Sequence, residues 1–511
     1  MDAPSRPPFP LADAIAAALA ANPDRPGVQY EGNWRPWREV AAAAASIQAA
    51  VGDTGLEDDH AVGLVLRNQG TGYAALAGLI AARRTVVLIS PFQSQEAIAA
   101  DLAKLKLAAV VASIQDWGPA VIEAARSAGS GGVALDDTAF VATAVAGLED
   151  HRSGADHARM PEVAVQMLTS GTTGAPKRIP LSRRGLSMAI DDQIRMAAAM
   201  GEAPPDAGLE ATLIQYAPMV QLSGLYNALQ AAAEGKPLVL MDKFSPKAWV
   251  DSVRTCRQRM LALPPAMMRM ILEAKPARED LASLRSVRSG AAPLDAHTRD
   301  TFEELYGTPV LSIYGATEFV GPIASWSLDD HERFAGSKRG SVGRIWPDIA
   351  QGRVVDPETG AAVEAGEQGL LEVLVGRSGP DWIRTNDLAT LDGDGFLFIH
   401  GRADDAINRG GFKIPPDVIS DALRTHPLVY DAAAIPLPDK RLGQVPAAVV
   451  ELRPGADPLT EADLLAYARS RLLAYQVPVK ILVVPALPRT PAQKISRPDV
   501  YALFQEDAKS A

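Results

Sequence analysis

At 511 residues the chain is long enough for about three domain-sized units with buried cores. Apolar residues make up 47% and charged residues 22%, ordinary for a soluble globular enzyme, and a formal charge of -11 argues against a nucleic-acid partner, whose phosphates want a basic face. A single cysteine, Cys256, excludes an internal disulfide, gives no cysteine cluster for a structural zinc, and reads as a reducing, cytoplasmic compartment.

The opening residues Met1-Asp2-Ala3-Pro4 lack the basic region and apolar core of a signal peptide. Alanine-rich stretches predict helices over 10–21 and 37–51, with a strand at 27–30 between them. Helix and short strand then alternate through 61–66, 73–82, 85–89, 96–105 and 108–112, which predicts an α/β layered domain with a largely parallel sheet. The most apolar window, Tyr73 to Ile89, carries Arg83 and Arg84, so it reads as a buried helix followed by a strand and not as a membrane span. Gly129-Ser130-Gly131-Gly132-Val133-Ala134 fits a loose dinucleotide fingerprint, but it follows a helix and precedes a strand, the reverse of the required order, and is read as a connector.

Between an apolar run, 163–168, and Arg178-Ile179-Pro180-Leu181 lies Thr169-Ser170-Gly171-Thr172-Thr173-Gly174-Ala175-Pro176-Lys177. Its two glycines let the backbone turn tightly, its four hydroxyl residues supply donors, and Lys177 adds a positive charge, a combination suited to a polyphosphate. A solvated turn is the plainer reading of such composition. It is not a Walker A loop, because Pro176 stands between the last glycine and the lysine. Ser182 then caps a helix with the apolar face Leu186, Ile190, Ile194 and Ala197.

Alternation continues from 211 to 313, with a strand at 238–241 and a run of Met267, Met268 and Met270 that reads as core filler or as an apolar pocket wall. From about 340 to 401, strands at 350–355, 369–375 and 395–400 between Gly, Asp and Pro turns predict a β-rich subdomain. From about 404 to the end a small α+β unit follows: Thr460-Glu461-Ala462-Asp463 is a capping box, its helix stops before Pro478, and 479–484 reads as a strand.

The loop from Thr169 to Lys177 resembles the phosphate loop of the adenylate-forming superfamily, which includes acyl- and aryl-CoA synthetases, and the likeness recurs in order along the chain. Ser289-Gly290-Ala291-Ala292-Pro293 resembles the segment that lies against adenine, and Tyr314-Gly315-Ala316-Thr317-Glu318 the Tyr-Gly-x-Thr-Glu motif. Trp382-Ile383-Arg384-Thr385-Asn386-Asp387 is similar to Tyr-x-Thr-Gly-Asp, with Asn386 in place of the glycine. Gly401-Arg402-Ala403-Asp404 resembles the hinge, and Arg409-Gly410-Gly411-Phe412-Lys413 the glycine loop beside the coenzyme A tunnel; Val418 and Ser420 replace acids that usually follow. Pro488-Arg489-Thr490-Pro491-Ala492-Gln493-Lys494 resembles the motif of the adenylation lysine, with Gln493 in place of glycine.

The resemblance implies a large N-terminal domain, 1–403, of layered α/β subdomains plus the β-rich one, and a small mobile α+β domain, 404–511, pivoting at Asp404. It implies ATP, Mg²⁺ and coenzyme A as cosubstrates, with an acyl-carrier protein as the alternative acceptor, an aliphatic or aromatic carboxylic acid as substrate, and acyl-adenylate formation as chemistry. A non-catalytic nucleotide- or acyl-binding relative is the reading from another class. Thr169, Ser170, Gly171, Thr172, Thr173, Gly174 and Lys177 would hold phosphates, Thr317 the α-phosphate, and Glu318 the Mg²⁺. Tyr314 and Gly315 would flank adenine, Asp387 would accept the ribose hydroxyls, Arg402 would contact the nucleotide, and Lys494 would act on the carboxylate. Gln221, Leu225, Ser289, Gly290 and Gly315 would line the acyl pocket, and Arg409, Gly410 and Gly411 the tunnel.

Overall fold

The computed structural model describes residues 9–57, 60–150, 157–169, 177–316, 318–403, 405–410, 412–490 and 493–510. The chain builds a large mixed α/β N-terminal part and a small C-terminal one. The first sheet has seven strands, and its centre consists of Ala61–Val65, Thr85–Ile89 and Ala109–Ser113, paired in parallel and buried throughout. Continuous apolar runs such as Thr85-Val86-Val87-Leu88-Ile89 form such strands because helices cover both faces of the sheet and leave no solvent side. The helix Gly70–Ala81 is buried along nearly its whole length against this sheet, as the apolar window predicted. Among the described residues no helix is long and apolar enough to cross a membrane.

At one edge of that sheet, Val163–Thr169 and Lys177–Ser182 form an antiparallel pair in which Thr169 faces Lys177. Ser182 caps the next helix, Arg183–Ala199, by accepting from the Gly185 N–H at 3.0 Å. A five-stranded sheet orders Met260–Ala262, Ser286–Ser289 and Val310–Ala316 in parallel, then adds Gly321–Ser325 and Arg344–Ile345 antiparallel. A four-stranded sheet joins the N-terminal hairpin, Pro26–Tyr30 and Asn33–Pro36, to Leu238–Leu240 through the pairing of Val28 with Leu238. No local signal announces that long-range partner.

The β-rich region is an antiparallel meander of Ala350–Val355, Gln368–Val375, Ile383–Leu391 and Leu397–Arg402. Its third strand is absent from the sequence reading, because Arg384, Asn386 and Asp387 interrupt the apolar pattern while the backbone pairs on both sides. In the C-terminal part, the hairpin of Val429–Asp439 with Gly443–Leu452 is flanked by Ile407–Arg409, Phe412–Ile414 and Ile481–Val484. The Thr460 and Asp463 capping box forms as expected, with bonds of 2.9 and 3.2 Å.

One local expectation is corrected and another is made more exact. Gly131 to Ala134 is not a connector: these residues open the strand Gly131–Asp136, and only Gly129, in a left-handed conformation, ends the preceding helix. The helix begun at Glu461 ends at Arg469, well before Pro478; the chain then turns, with the Gln476 side chain accepting from the Leu473 N–H at 3.0 Å.

Candidate functional site

The strands Val163–Thr169 and Lys177–Ser182 flank the segment expected to hold phosphates, with Thr169 and Lys177 described by their backbone alone. Ser170, Gly171, Thr172, Thr173 and Gly174, together with Thr317, Asp404 and Gly411, lie outside the described residues.

Four other predicted residues meet. Tyr314, at the end of its strand, donates its hydroxyl to the carboxylate of Asp387, and Asp387 faces Arg402 across the neighbouring strand pair. The charge of Glu318 also acts on the Tyr314 hydroxyl, and that of Arg402 opposes it. Burial is the main cause that raises the Tyr314 pKa, with the Asp387 charge next, so the group stays a neutral donor. The turn after Glu318 is pinned from behind by the buried Arg377, which donates to the carbonyls of Phe319 at 3.0 Å and Pro322 at 2.6 Å and pairs with Asp192. Nothing in the sequence pattern marks Arg377, whose partner Asp192 belongs to a helix 185 positions away in the chain.

Glycines shape this site by leaving room. A Cβ on Gly315 would come within 2.5 Å of the Pro322 Cα, and one on Gly290 within 2.5 Å of Ile313 Cγ2 and 3.0 Å of its carbonyl oxygen. Beside Gly290, the Ser289 hydroxyl is buried without a hydrogen-bond partner, while Ala291, Ala292 and Pro293 are exposed. An orphaned hydroxyl, two glycine-flattened backbones and the Tyr314–Asp387 pair fit a nucleotide. Among the described residues no group of three or more His, Cys, Asp or Glu side chains could hold a metal. Glu318 offers a single carboxylate, which fits a Mg²⁺ carried mainly on phosphate oxygens.

Of the residues expected to line an acyl pocket, Gln221 occupies the N-cap of Leu222–Glu234 and Leu225 is wholly buried in the largest apolar cluster. The preceding segment is fixed by Asn68, whose amide donates to the carbonyls of Ala217 and Met241 at 3.1 Å each and accepts from the Met219 N–H at 3.0 Å. A Cβ on Gly224 would come within 2.2 Å of the Pro218 oxygen, so this turn is tight. Asn68 stands far away in sequence, and only the fold reveals its role. Met267 and Met268 are buried among Trp249, Ile271 and Phe302, as core filler.

Arg288, also unmarked by the motifs, precedes Ser289 on the strand Ser286–Ser289. Its Nη1 is fully shielded and has no hydrogen-bond partner. Burial lowers its pKa, opposed by the charge of Glu202 and by Tyr216. Glu202 is already engaged, at 2.6 Å from the Lys236 ammonium and 2.7 Å from the Gln230 amide.

Lys494 follows a tight turn in which the Thr490 N–H donates to the Lys494 carbonyl at 2.7 Å and the Gln493 N–H to the Thr490 carbonyl at 2.8 Å. Gln493 takes φ 61°, a left-handed conformation that glycine adopts at lower cost, so its replacement of glycine stores strain next to the lysine. Lys494 is exposed, yet the surrounding protein removes enough water to lower its pKa. Among the described residues its ammonium makes no hydrogen bond or ion pair with Tyr314, Glu318, Asp387 or Arg402.

The same loop is anchored through Arg489. Its guanidinium lies 2.6 Å from Asp431, which also binds Arg424 at 2.7 Å and Arg269, on the helix Pro265–Ala274, at 3.1 Å. Burial would raise the Asp431 pKa, but the three guanidiniums outweigh it and hold the carboxyl well below the usual carboxylate range. Arg409 donates to the Tyr475 carbonyl at 2.7 Å, Gly410 takes φ 58°, and the exposed Phe412 ring stacks on Tyr475 at 4.6 Å between centroids.

A two-part α/β chain that brings Tyr314, Asp387 and Arg402 together fits a class of nucleotide-binding proteins, and comparison with known proteins specifies it. A sequence model of the AMP-binding enzyme family matches residues 15–378, and that of the AMP-binding enzyme C-terminal domain matches 419–494. The chain belongs to this family, within the adenylate-forming superfamily. It is 30% identical over 348 residues to 4-coumarate--CoA ligase-like 5 of Oryza sativa subsp. japonica, covering 66% of this chain and 62% of the relative. It is 31% identical over 365 residues to probable CoA ligase CCL5 of Humulus lupulus, covering 67% and 64%. Each alignment thus spans less than two thirds of the relative's length. The fold matches that of ATP-bound MatB from Rhodopseudomonas palustris with a TM-score of 0.81 and 22% identity, over 96% of this chain and 99% of that one.

Proposed function

We propose that this protein activates a carboxylic acid with ATP and Mg²⁺ and then transfers the acyl group to the thiol of coenzyme A. The observation that carries this reading is the meeting of Tyr314, Asp387 and Arg402, which come from three separate motifs, within the electrostatic reach of Glu318. The CoA-ligase names of the relatives support the acceptor, and the ATP in the MatB structure supports the nucleotide. The working division is a large domain, 1–403, and a small domain, 404–511, that moves about Asp404.

In the first half-reaction a carboxylate oxygen of the acid bonds to the α-phosphorus of ATP, and the bond to pyrophosphate breaks. Both reactants are anions, so the site has more charge to neutralise than protons to move. Residues 169–174 and Lys177 hold the β- and γ-phosphates, Thr317 the α-phosphate, and Lys494 the carboxylate and bridging oxygens. Asp387 takes the ribose hydroxyls, while Tyr314, Gly315 and Ser289 to Pro293 bound the adenine. Glu318 would hold Mg²⁺, which when bound would screen the triphosphate charge. In the second half-reaction the thiol sulfur bonds to the acyl carbon, AMP leaves, and the thiol proton passes to solvent. The acceptor enters past Arg409, Gly410 and Gly411 once the small domain has carried Lys494 away.

Acid-dependent exchange of labelled pyrophosphate into ATP checks the first half, and AMP release accelerated by coenzyme A checks the second. Absence of exchange across a broad acid panel overturns the reading. Exchange without any response to coenzyme A overturns the acceptor alone.

A further inference from the structure

We propose that Arg288 binds a second carboxylate on the acid substrate, so that this site selects dicarboxylic acids over monocarboxylic ones. The inference rests on the ligase reading and names its substrate class.

Arg288 lies between the two stretches assigned to the acyl pocket. It directly precedes Ser289 and Gly290, and its strand partner is Ala262. The carbonyl of Ala262 accepts the hydroxyl of Tyr216 at 3.0 Å, and Tyr216 leads straight into the segment 217–221 that Asn68 clamps. Tyr216 also acts electrostatically on the guanidinium, so the Arg288 side chain is near the residue that leads into the region where the acyl group is expected.

Its charge is poorly compensated from within the protein. Nη1 is shut off from solvent without a hydrogen bond, among the described residues no carboxylate forms an ion pair with the side chain, and Glu202, the acid whose charge acts on it, is held by Lys236 and Gln230. Tyr216 is spent on Ala262. Arg288 is partly buried, and a cation with a shielded, unpartnered donor is costly, whereas one facing a carboxylate is matched by five donors in a planar fork. The alternative, an arginine whose stem only fills core space, leaves a shielded donor orphaned for nothing, a job Met or Leu would do at lower cost. Ser289, the next residue, carries a second orphaned group, its hydroxyl, so unused polar capacity is concentrated here.

The test compares acids matched in skeleton, hexanoate with adipate and benzoate with terephthalate. Binding is read by calorimetry on the full chain with a non-hydrolysable ATP analogue, so that it does not depend on turnover. At least one diacid should bind tighter than its monoacid partner. In Arg288→Met that diacid-to-monoacid ratio should fall by about 10- to 100-fold, the loss expected for a charge-assisted hydrogen bond. Arg288→Lys, which keeps the charge without the fork, should retain part of the selectivity and so separates recognition from a folding defect. Preference for monoacids in the wild type, or a ratio unmoved by Arg288→Met, overturns the proposal. Diacid selectivity in binding without pyrophosphate exchange for any acid overturns the ligase reading and upholds the role of Arg288.

Discussion

Asp431 and Arg288 are two buried charges of opposite construction. Asp431 is fully enclosed and touches three guanidiniums, from Arg269, Arg424 and Arg489, which join the helix Pro265–Ala274 to the loop of Lys494. Arg288 is partly buried, enclosed at Nη1, and among the described residues forms no ion pair with an acid. A buried charge with excess partners fixes geometry, because moving any partner exposes the others. A buried charge with none is tolerable when a counter-ion arrives from outside. The first kind belongs to architecture and the second to recognition.

The sharpest way to break the comparison is at the end of the Asp431 chain of contacts. If Arg489 orders a catalytic loop, Lys494→Ala should slow acid-dependent pyrophosphate exchange by about 10² to 10³. An unchanged exchange rate would remove the reason for anchoring the loop. Asp431→Ala should destabilise the small domain by about 3–5 kcal/mol, the usual result of stripping one partner from a buried ion cluster, seen as a lower urea midpoint. A loss below 1 kcal/mol would place the cluster with ordinary surface pairs.

The same cluster predicts a pH dependence. The folded pKa of Asp431 is depressed below its unfolded value near 3.9, so its stabilisation is complete above that value and fades as pH falls through the folded pKa. Asp431→Asn should lack this acid-side decline, and urea titrations at pH 6 and pH 3.5 would reveal it. The smallest effect belongs to the nucleotide side. Tyr314→Phe removes one donor to Asp387 and should raise KM for ATP by about tenfold or less, with little change in melting temperature.

The sequence by itself determined the order of the motifs, the parallel apolar strands, the capped helices at Ser182 and Thr460 and the β-rich texture near 350–400. All of these depend on spacing within a few turns of chain, where periodicity and capping chemistry act. It also singled out Tyr314, Asp387 and Arg402 one by one, by resemblance. What only the tertiary structure decided is which of them touch, and which unmarked residues support them. Asn68 clamps the segment at 217–219, Arg377 pins the turn behind Glu318, and Asp431 gathers three arginines, all across long stretches of chain. The strand Ile383–Leu391 escaped notice because its polar residues serve the site while its backbone serves the sheet. Arg288 remained an ordinary strand residue until its surroundings were known: a cation's meaning depends on whether an acid lies within reach, and that distance is fixed only by the fold.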